Sequence, residues 1–467
     1  MMAIEGAPHS SVVWWTELER WVNPYRTLNP RALPKGWELT KVRDIARQMN
    51  APCEVKAGQK YRMVGVKWYG EGTFERETVN GEEISAKYLF PLKPGAFIYN
   101  RLFAWKASFA VVPTEHKGCF VSSEFPQFIV DESRANAQYL RLYFTTNKVV
   151  RAVEAASVGT AAVSRNRFKE EEFLSFSIPL PPLQVQEATV AHWRKAQEEI
   201  VTTEKRVAEL EAEIMRSVLK TLGLKPPPKR TELPKAFALW WKDIPRWSAE
   251  YLARLVVGLE QPDKARFPMM PMAKLTEGRS GGTPSTKQPL YWGGKLPWVS
   301  PKDMKTLEIT DSLDHLTDYA VKENAAALVP ENSILVVVRS GILQRVVPVA
   351  ISRIPVAINQ DLRAFTIKDP RLLPDFLLHY LSVRQDKLLR LVKYSTTVQS
   401  MNKEELEAFP VSVPPLDVQR EIVDMVAKRR AEIARERYRA AKRAVDVARE
   451  VEEMILGIRP AGQIPHS

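Results

Sequence analysis

The sequence predicts a duplicated mixed α/β fold (α+β): two similar domains, each followed by a long helix, the two helices packing antiparallel as a coiled coil. Three observations predict it. Four segments recur in the same order at spacings of roughly 226 to 238 residues, far too long a period for a solenoid. Between them lie short β-rich runs punctuated by Pro, Gly, Asn and Ser. Each copy then ends in apolar heptads.

The repeated segments come in order. WWTELERW (Trp14 to Trp21) matches WWKDIPRW (Trp240 to Trp247). IYNRLF around Arg101 weakly matches VVVRSG around Arg339. FSIPLPPLQVQ (Phe176 to Gln186) matches FPVSVPPLDVQ (Phe409 to Gln419), and LGLKP (Leu222 to Pro226) matches LGIRP (Leu456 to Pro460). Strand-like pieces between them are AFIYN, SFAVVP, FPQFIVD, SILVVVRSG and VVPVAISRIPVAI. The proline pair of each PPL string ends the globular part, because proline cannot continue a sheet.

The helices follow at once. In the first, Trp193, Ile200, Val207 and Ile214 recur every seven residues, with Ala196 and Leu210 between them. In the second, Val426, Ile433, Ala440, Val447 and Met454 do so, joined by Ala444 and Val451. Glycine stops each helix, at Gly223 and Gly457. The first would be a rod about 55 Å long. The expected organisation is an aromatic scaffold segment over 1–30, a first domain over 31–184, a helix over 185–223, a linker over 224–236, a second domain over 237–416, a helix over 417–457 and a tail over 458–467.

Composition narrows the function classes. The formal charge of +13 and pI near 9.5 suit a polyanionic partner such as nucleic acid, or an ordinary basic surface. Two cysteines, Cys53 and Cys119, make no disulfide framework, which points to a reducing cytoplasm. No apolar run is long enough to span a bilayer, and MMAIEGAPHSS does not read as a signal peptide.

Catalytic signatures are absent. The chain holds no GxxxxGK[ST] loop, no GxGxxG, and neither NPPY nor DPPY; the nearest string, NPYR from Asn23, lacks the second proline. The six histidines are scattered with no metal spacing, so no metal and no cofactor is expected in this chain. Asp44 followed by Glu54-Val55-Lys56 fits a nuclease pattern, but one so permissive that chance supplies it, and the second half has no counterpart.

Several stretches resemble the specificity subunit of type I restriction–modification enzymes. LPKGWELTKVRDI (Leu33 to Ile45) is similar to the opening of a target-recognition domain, and SGGTPSTKQPLYWGGKLPWVSPKDM (Ser280 to Met304) to the second domain's opening. AINQDLRAF (Ala357 to Phe365) and STTVQSMNKEELEAFPVSVPPLDVQ (Ser395 to Gln419) fit the end of such a domain. The first half is more divergent, with VSSEFPQF and GTAAVSRNRFKEEEF in the corresponding places. The resemblance implies two target-recognition domains related by a pseudo-two-fold, each reading one half of an asymmetric bipartite DNA sequence. It implies helices that set the unread gap and dock two methylation subunits, and a restriction/translocase subunit that joins them. Adenine-N6 methylation and ATP-dependent cleavage, with S-adenosylmethionine, ATP and Mg, would belong to those partners. The alternative is a stand-alone nuclease or methyltransferase with duplicated recognition domains.

Bases are read through donors and acceptors on their edges, while Lys and Arg on phosphates set register. On that ground the expected DNA contacts in the first half are Lys60, Arg62, Lys67, Tyr69, Asn100, Arg101, Arg165 and Arg167. In the second half they are Gly281, Thr283, Ser285 and Lys287 of a glycine-led loop, Arg339, Gln344 and Arg345 around a hairpin-like turn, and Thr396, Thr397 and Gln399 of a polar loop. Each is otherwise a solvated residue or a local turn bond. The tryptophans Trp14, Trp15, Trp21, Trp240, Trp241 and Trp247 read as core or interface rather than base stackers. The basic run from Lys428 to Arg443 reads as a solvated helix face, a border to the DNA spacer or a surface for an acidic partner.

Overall fold

A computed structural model of the chain describes residues 33–157, 167–227, 238, 252–253, 256, 265–323, 326, 328–393 and 398–461. The tryptophan repeats, the linker beyond 227, Arg165, Thr396 and Thr397 lie outside the described residues. The chain divides into two compact units, Met1–Thr203 with Arg439–Ser467, and Glu204–Tyr438.

In the first unit the strands are β1 (Glu38–Lys41), β2 (Ala46–Met49), β3 (Cys53–Glu54), β4 (Lys60–Val66), β5 (Thr73–Asn80), β6 (Tyr88–Pro91), β7 (Phe97–Tyr99), β8 (Phe109–Val111), β9 (Phe120–Val121), β10 (Gln127–Val130) and β11 (Ser177–Leu180). The helices are α1 (Ala137–Phe144), α2 (Asn147–Ala156), α3 (Glu170–Ser175) and the long α4 (Leu183–Thr221), whose first part belongs here. One sheet has the order β2-β10-β7-β8 and the other β3-β6-β9-β4-β5, while β1 pairs with β11. Ile98 and Ala110 of the first sheet meet Val64, Val66 and Val121 of the second in a small apolar core. The larger core is aromatic: Phe97 stacks on Phe173 at 5.1 Å, and Tyr99 on Phe128 at 6.0 Å.

The second unit has β12 (Met269–Pro271), α5 (Met272–Leu275), β13 (Thr276–Ser280), β14 (Trp292–Val299), β15 (Glu308–Ile309), β16 (Asp314–Leu316), α6 (Asp318–Lys322), β17 (Leu328–Val329), β18 (Ile334–Val337), β19 (Val349–Ser352), β20 (Val356–Ile358) and β21 (Leu362–Ile367). There follow α7 (Pro374–Val383), α8 (Gln385–Leu388), β22 (Val392–Lys393), β23 (Ser400–Met401), α9 (Lys403–Glu407), β24 (Pro410–Ser412) and the long α10 (Leu416–Ile455). Its sheets run β13-β21-β18-β19-β15 and β16-β14-β20-β17, with β12 paired to β24. Four strands of each sheet keep the order of the first unit, including the parallel pairing inside the second sheet, β4 with β9 and β14 with β20, while β3 in one unit and β15 in the other are additions at a sheet edge. The cores differ. Aliphatic residues from Ile334 to Val337 and Val349 to Ile351 fill the second unit where rings fill the first.

The repeated PPL-x-x-Gln string has a physical reason. Gln186 is fully buried, accepts from Asn136 N (2.8 Å) and donates to Arg134 O (3.0 Å) and Pro181 O (2.8 Å). Gln419 is equally buried, accepts from Leu373 N (2.9 Å) and donates to Arg371 O (2.7 Å) and Pro414 O (2.8 Å). One carboxamide thus ties the start of each long helix to the turn that opens α1 or α7.

Within each unit the helices run antiparallel. In the first, His192 Nε2 lies 2.8 Å from Glu450, and Arg443 bridges Glu199 (2.9 Å) and Glu450 (3.1 Å). Burial opposes ionisation of Glu450, but the hydrogen bonds from His192 and Arg443 prevail and hold it below the usual carboxylate range. In the second unit Arg437 pairs with Glu211 (2.7 Å) and Arg429 with Glu213 (3.4 Å). Arg429, Arg437 and Arg443 of the basic run on α10 are therefore paired with α4 carboxylates. Ala196, Val207, Leu210, Ile214, Val426, Ile433, Val447, Val451 and Met454 are buried as the heptads predict, whereas Ala444 is exposed.

Both long helices stop a residue or two before the expected glycine, which takes φ of +66° at Gly223 and +68° at Gly457. The next amide, Leu224 N or Ile458 N, reaches back to Leu219 O (2.8 Å) or Glu453 O (2.9 Å). A β-carbon on Gly457 would overlap Pro34. Gly457→Ala is expected to cost about 2 kcal/mol, from left-handed strain plus that overlap. Gly95→Ala, at φ +82° with open space around it, is expected to cost about 1 kcal/mol. Thermal melting of the two variants checks the order. No helix among the described residues is long and apolar enough to cross a membrane.

Candidate nucleic-acid interface

The matched arginines occupy one place in the two frames. Arg101 follows β7, and its N–H donates to Glu124 O (3.0 Å); Arg339 follows β18, and its N–H donates to Asp361 O (3.2 Å). The chain returns beside each. Phe168 N donates to Arg101 O (3.0 Å), and Arg339 bridges to Ser400. Their side chains then part company. Arg101 is half-buried and paired with Glu170, while Arg339 is 53% exposed and held through Nε by Asp361 Oδ1 at 2.6 Å.

In the second unit the candidates converge. Thr283 hydrogen-bonds Gln360, Asp361 holds Arg339 and accepts from Asn359 Nδ2 (3.1 Å), and Ser340 N donates to Gln399 O (3.1 Å). Gln344 and Arg345 are exposed on the short 3-10 turn that follows Ser340. Ser285 and Lys287 are exposed on the β13–β14 loop. That loop's glycines are not equivalent: Gly281 is packed against the carbonyls of Ile358 and Asn359, so its small size serves the chain's own fold, whereas Gly282 has open space.

In the first unit Glu124 joins two candidates, accepting from Arg101 N and from Arg167 Nη2 (3.0 Å). Lys60 and Arg62 are exposed at the start of β4, and Lys67 and Tyr69 just past its end, roughly 20 Å away along the strand. Arg62 forms a two-point pair with Glu75 on β5 (3.0 and 2.9 Å), which strengthens its protonation and lowers the Glu75 carboxyl. Two expected contacts are not surface groups. Asn100 is buried, its Oδ1 accepting from Leu102 N (3.0 Å) to close the turn after β7, and Gln399 is buried beside Ser340. Of the two, Asn100 closes a local turn with its side chain, whereas Gln399 meets Ser340 through its backbone carbonyl.

Glu124, Asp361 and Gln360 were not singled out by sequence reasoning. The signal was present: an acid stands at the same place in VSSEFPQF and INQDLRAF. The nuclease-like Asp44 accepts from Lys41 N (3.3 Å) while Glu54 lies on β3, and among the described residues no three His, Cys, Asp or Glu side chains gather to hold a metal.

Comparison with known proteins agrees with the duplication. The family described as type I restriction modification DNA specificity domain matches twice, at residues 34–212 and 271–441. The chain is 37% identical over 150 residues to the specificity subunit of the type I restriction enzyme EcoR124I/EcoR124II of Escherichia coli, covering 32% of this chain and 37% of that protein. It is 26% identical over 190 residues to the type I MjaIX specificity subunit of Methanocaldococcus jannaschii, covering 39% of this chain and 41% of that one. These matches span about two fifths or less of the relatives' lengths. A solved chain from work on complex assembly and conformational transition of the type I R-M system superposes with a TM-score of 0.58 at 14% identity, over 91% of this chain and 99% of that one, which speaks for the fold. The chain belongs to the type I restriction–modification DNA specificity family.

Proposed function

We propose that this chain is the non-catalytic, sequence-specific DNA-binding subunit of a type I restriction–modification complex. Each domain reads one half of an asymmetric bipartite target in double-stranded DNA, and the long helices set the unread gap and dock two methylation subunits, with a restriction/translocase subunit completing the assembly. S-adenosylmethionine, ATP and Mg serve those partners. The observation that carries the reading is one frame built twice with unlike side chains on it: Arg101 closes on Glu170, Arg339 on Asp361. Equal scaffolds with unequal reading surfaces suit two different half-sites. Within this reading the DNA contacts are Lys60, Arg62, Lys67, Tyr69, Arg101, Arg165 and Arg167 in one half, and Thr283, Ser285, Lys287, Arg339, Gln344, Arg345, Thr396 and Thr397 in the other.

Exchanging residues 40–175 for the recognition domain of another family member, in the assembled complex, is expected to change one half-site and leave the other intact. Sequencing methylated adenines in cells carrying each version reads both half-sites and the gap. Simultaneous change of both half-sites, or methyl transfer by the chain alone, would overturn the reading.

A further inference from the structure

The hairpin between β4 and β5 ends in two aromatic side chains that face water, Tyr69 at 70% exposure and Trp68 at 41%. Tyr69 adopts φ +57°, a region that residues with a β-carbon rarely enter. The chain holds it there from several sides. Tyr69 N donates to Lys106 O (2.8 Å) and Gly70 N to Ala107 O (2.8 Å), while Lys67 N closes the turn on Gly72 O (2.9 Å). A β-carbon at Gly70 would lie 2.6 Å from the Thr145 methyl.

Arg141 fastens the same loop from below. Its Nη1 donates to Gly70 O (3.0 Å), its Nε to Gln138 (2.8 Å), and its guanidinium lies 4.2 Å over the Trp193 ring on α4. Burial pushes the Arg141 pKa down to about 10, so the cation is kept there at a cost that its packing must offset. Strain of this kind persists only where surroundings over-determine it, and it clusters at working surfaces.

The tip is also fringed with positive charge. Lys106 Nζ sits 3.7 Å over the Trp68 ring, and Lys67 and Arg76, against the single carboxylate of Glu71, line the adjoining cleft of about 480 Å³. Exposed rings beside cations meet base faces and thymine methyls, whatever phosphates lie alongside. In the second unit the corresponding strands β14 and β16 also pair, but the chain between them runs out through β15 in the other sheet, so this tight hairpin tip has no counterpart there.

We propose that the Trp68–Tyr69 tip is a pre-built aromatic wedge that contacts bases of the half-site read by the first domain, with Arg141 as the positioning residue that fixes it against α4. The proposal rests on the DNA-reading role above. Its test uses the complex assembled with methylation subunits and a duplex carrying the target mapped from its own methylation pattern. Tyr69→Ala and Tyr69→Gly are expected to weaken target binding tenfold or more, leaving a duplex without the target within twofold. The salt dependence of binding stays unchanged, because a ring neutralises no phosphate, whereas Lys67→Ala reduces the salt slope by about one. Tyr69→Phe binds within about threefold of wild type. Tyr69→Gly melts at or above the wild-type temperature, since glycine takes this φ without strain. Arg141→Met weakens target binding too, and adds nothing in combination with Tyr69→Ala, the signature of a residue acting through Tyr69. If both Tyr69 variants bind the target within twofold of wild type while Arg339→Ala does not, the wedge is wrong and the DNA-reading role stands. If the wild-type complex shows no preference for its mapped target, both fall.

Discussion

Gln419→Ala is expected to lower the stability of the second unit by about 3 to 4 kcal/mol, and Gln186→Ala to do the same to the first. Each carboxamide is fully buried and saturates three backbone groups. Truncation deletes all three bonds at once and strands one N–H and two carbonyls in a dry place, at about 1 to 3 kcal/mol per stranded group before any relaxation. Gln419→Glu should be worse than its near-identical shape suggests. A carboxylate keeps the acceptor for Leu373 N but sets a second oxygen against Arg371 O and Pro414 O, where the amide donated. Urea denaturation checks both, through the midpoint at constant slope. A loss below about 1 kcal/mol for Gln419→Ala would mean that the amide is not what ties the helix to its domain.

That glutamine shows what the sequence made legible and what it hid. The repeat PPL-x-x-Gln stood out as a string, and with it the duplication, the mixed α/β class and the two helices. Its function did not stand out, because Gln186 meets Arg134 and Asn136 about fifty positions earlier in the chain. The same distance hides the state of the candidate readers. Arg101 and Arg339 were found as cations at matching positions, yet their carboxylate partners Glu170 and Asp361 come from other elements. Counting charge along the chain cannot see such pairs. Asn100 shows a related limit: its polar type suggests a base contact, but only the fold shows that its Oδ1 closes the turn after β7 on Leu102 N. The faintness of the repeat also has a cause. The first unit packs phenylalanines where the second packs valines and isoleucines, so equal strand order survives with unequal side chains.

Acidification is expected to destabilise the second unit through His379. This side chain on α7 is buried and faces Arg430 of α10, whose Nε is itself buried without a hydrogen-bond partner. Burial, and next the Arg430 charge, push the imidazole pKa down to about 4, from 6.5 in the unfolded chain. Asp375 and Glu308 pull the other way, but both already engage Arg353, at 2.6 and 2.5 Å. Between pH 6.5 and 4 the unfolded chain therefore binds a proton that the folded unit refuses. Stability is level above about pH 6.5 and falls progressively below it, by about 3 kcal/mol in all by pH 4. Other carboxylates add their own losses toward acid, so the diagnostic is a difference: His379→Gln keeps the volume and hydrogen-bonding character without the titration. The gap between wild-type and His379→Gln urea midpoints should narrow or reverse from pH 7 to pH 4.5, where protonating wild-type His379 would set a second cation against Arg430. Midpoints that run parallel across that range would show that His379 gains its proton in the folded unit as readily as in the unfolded chain.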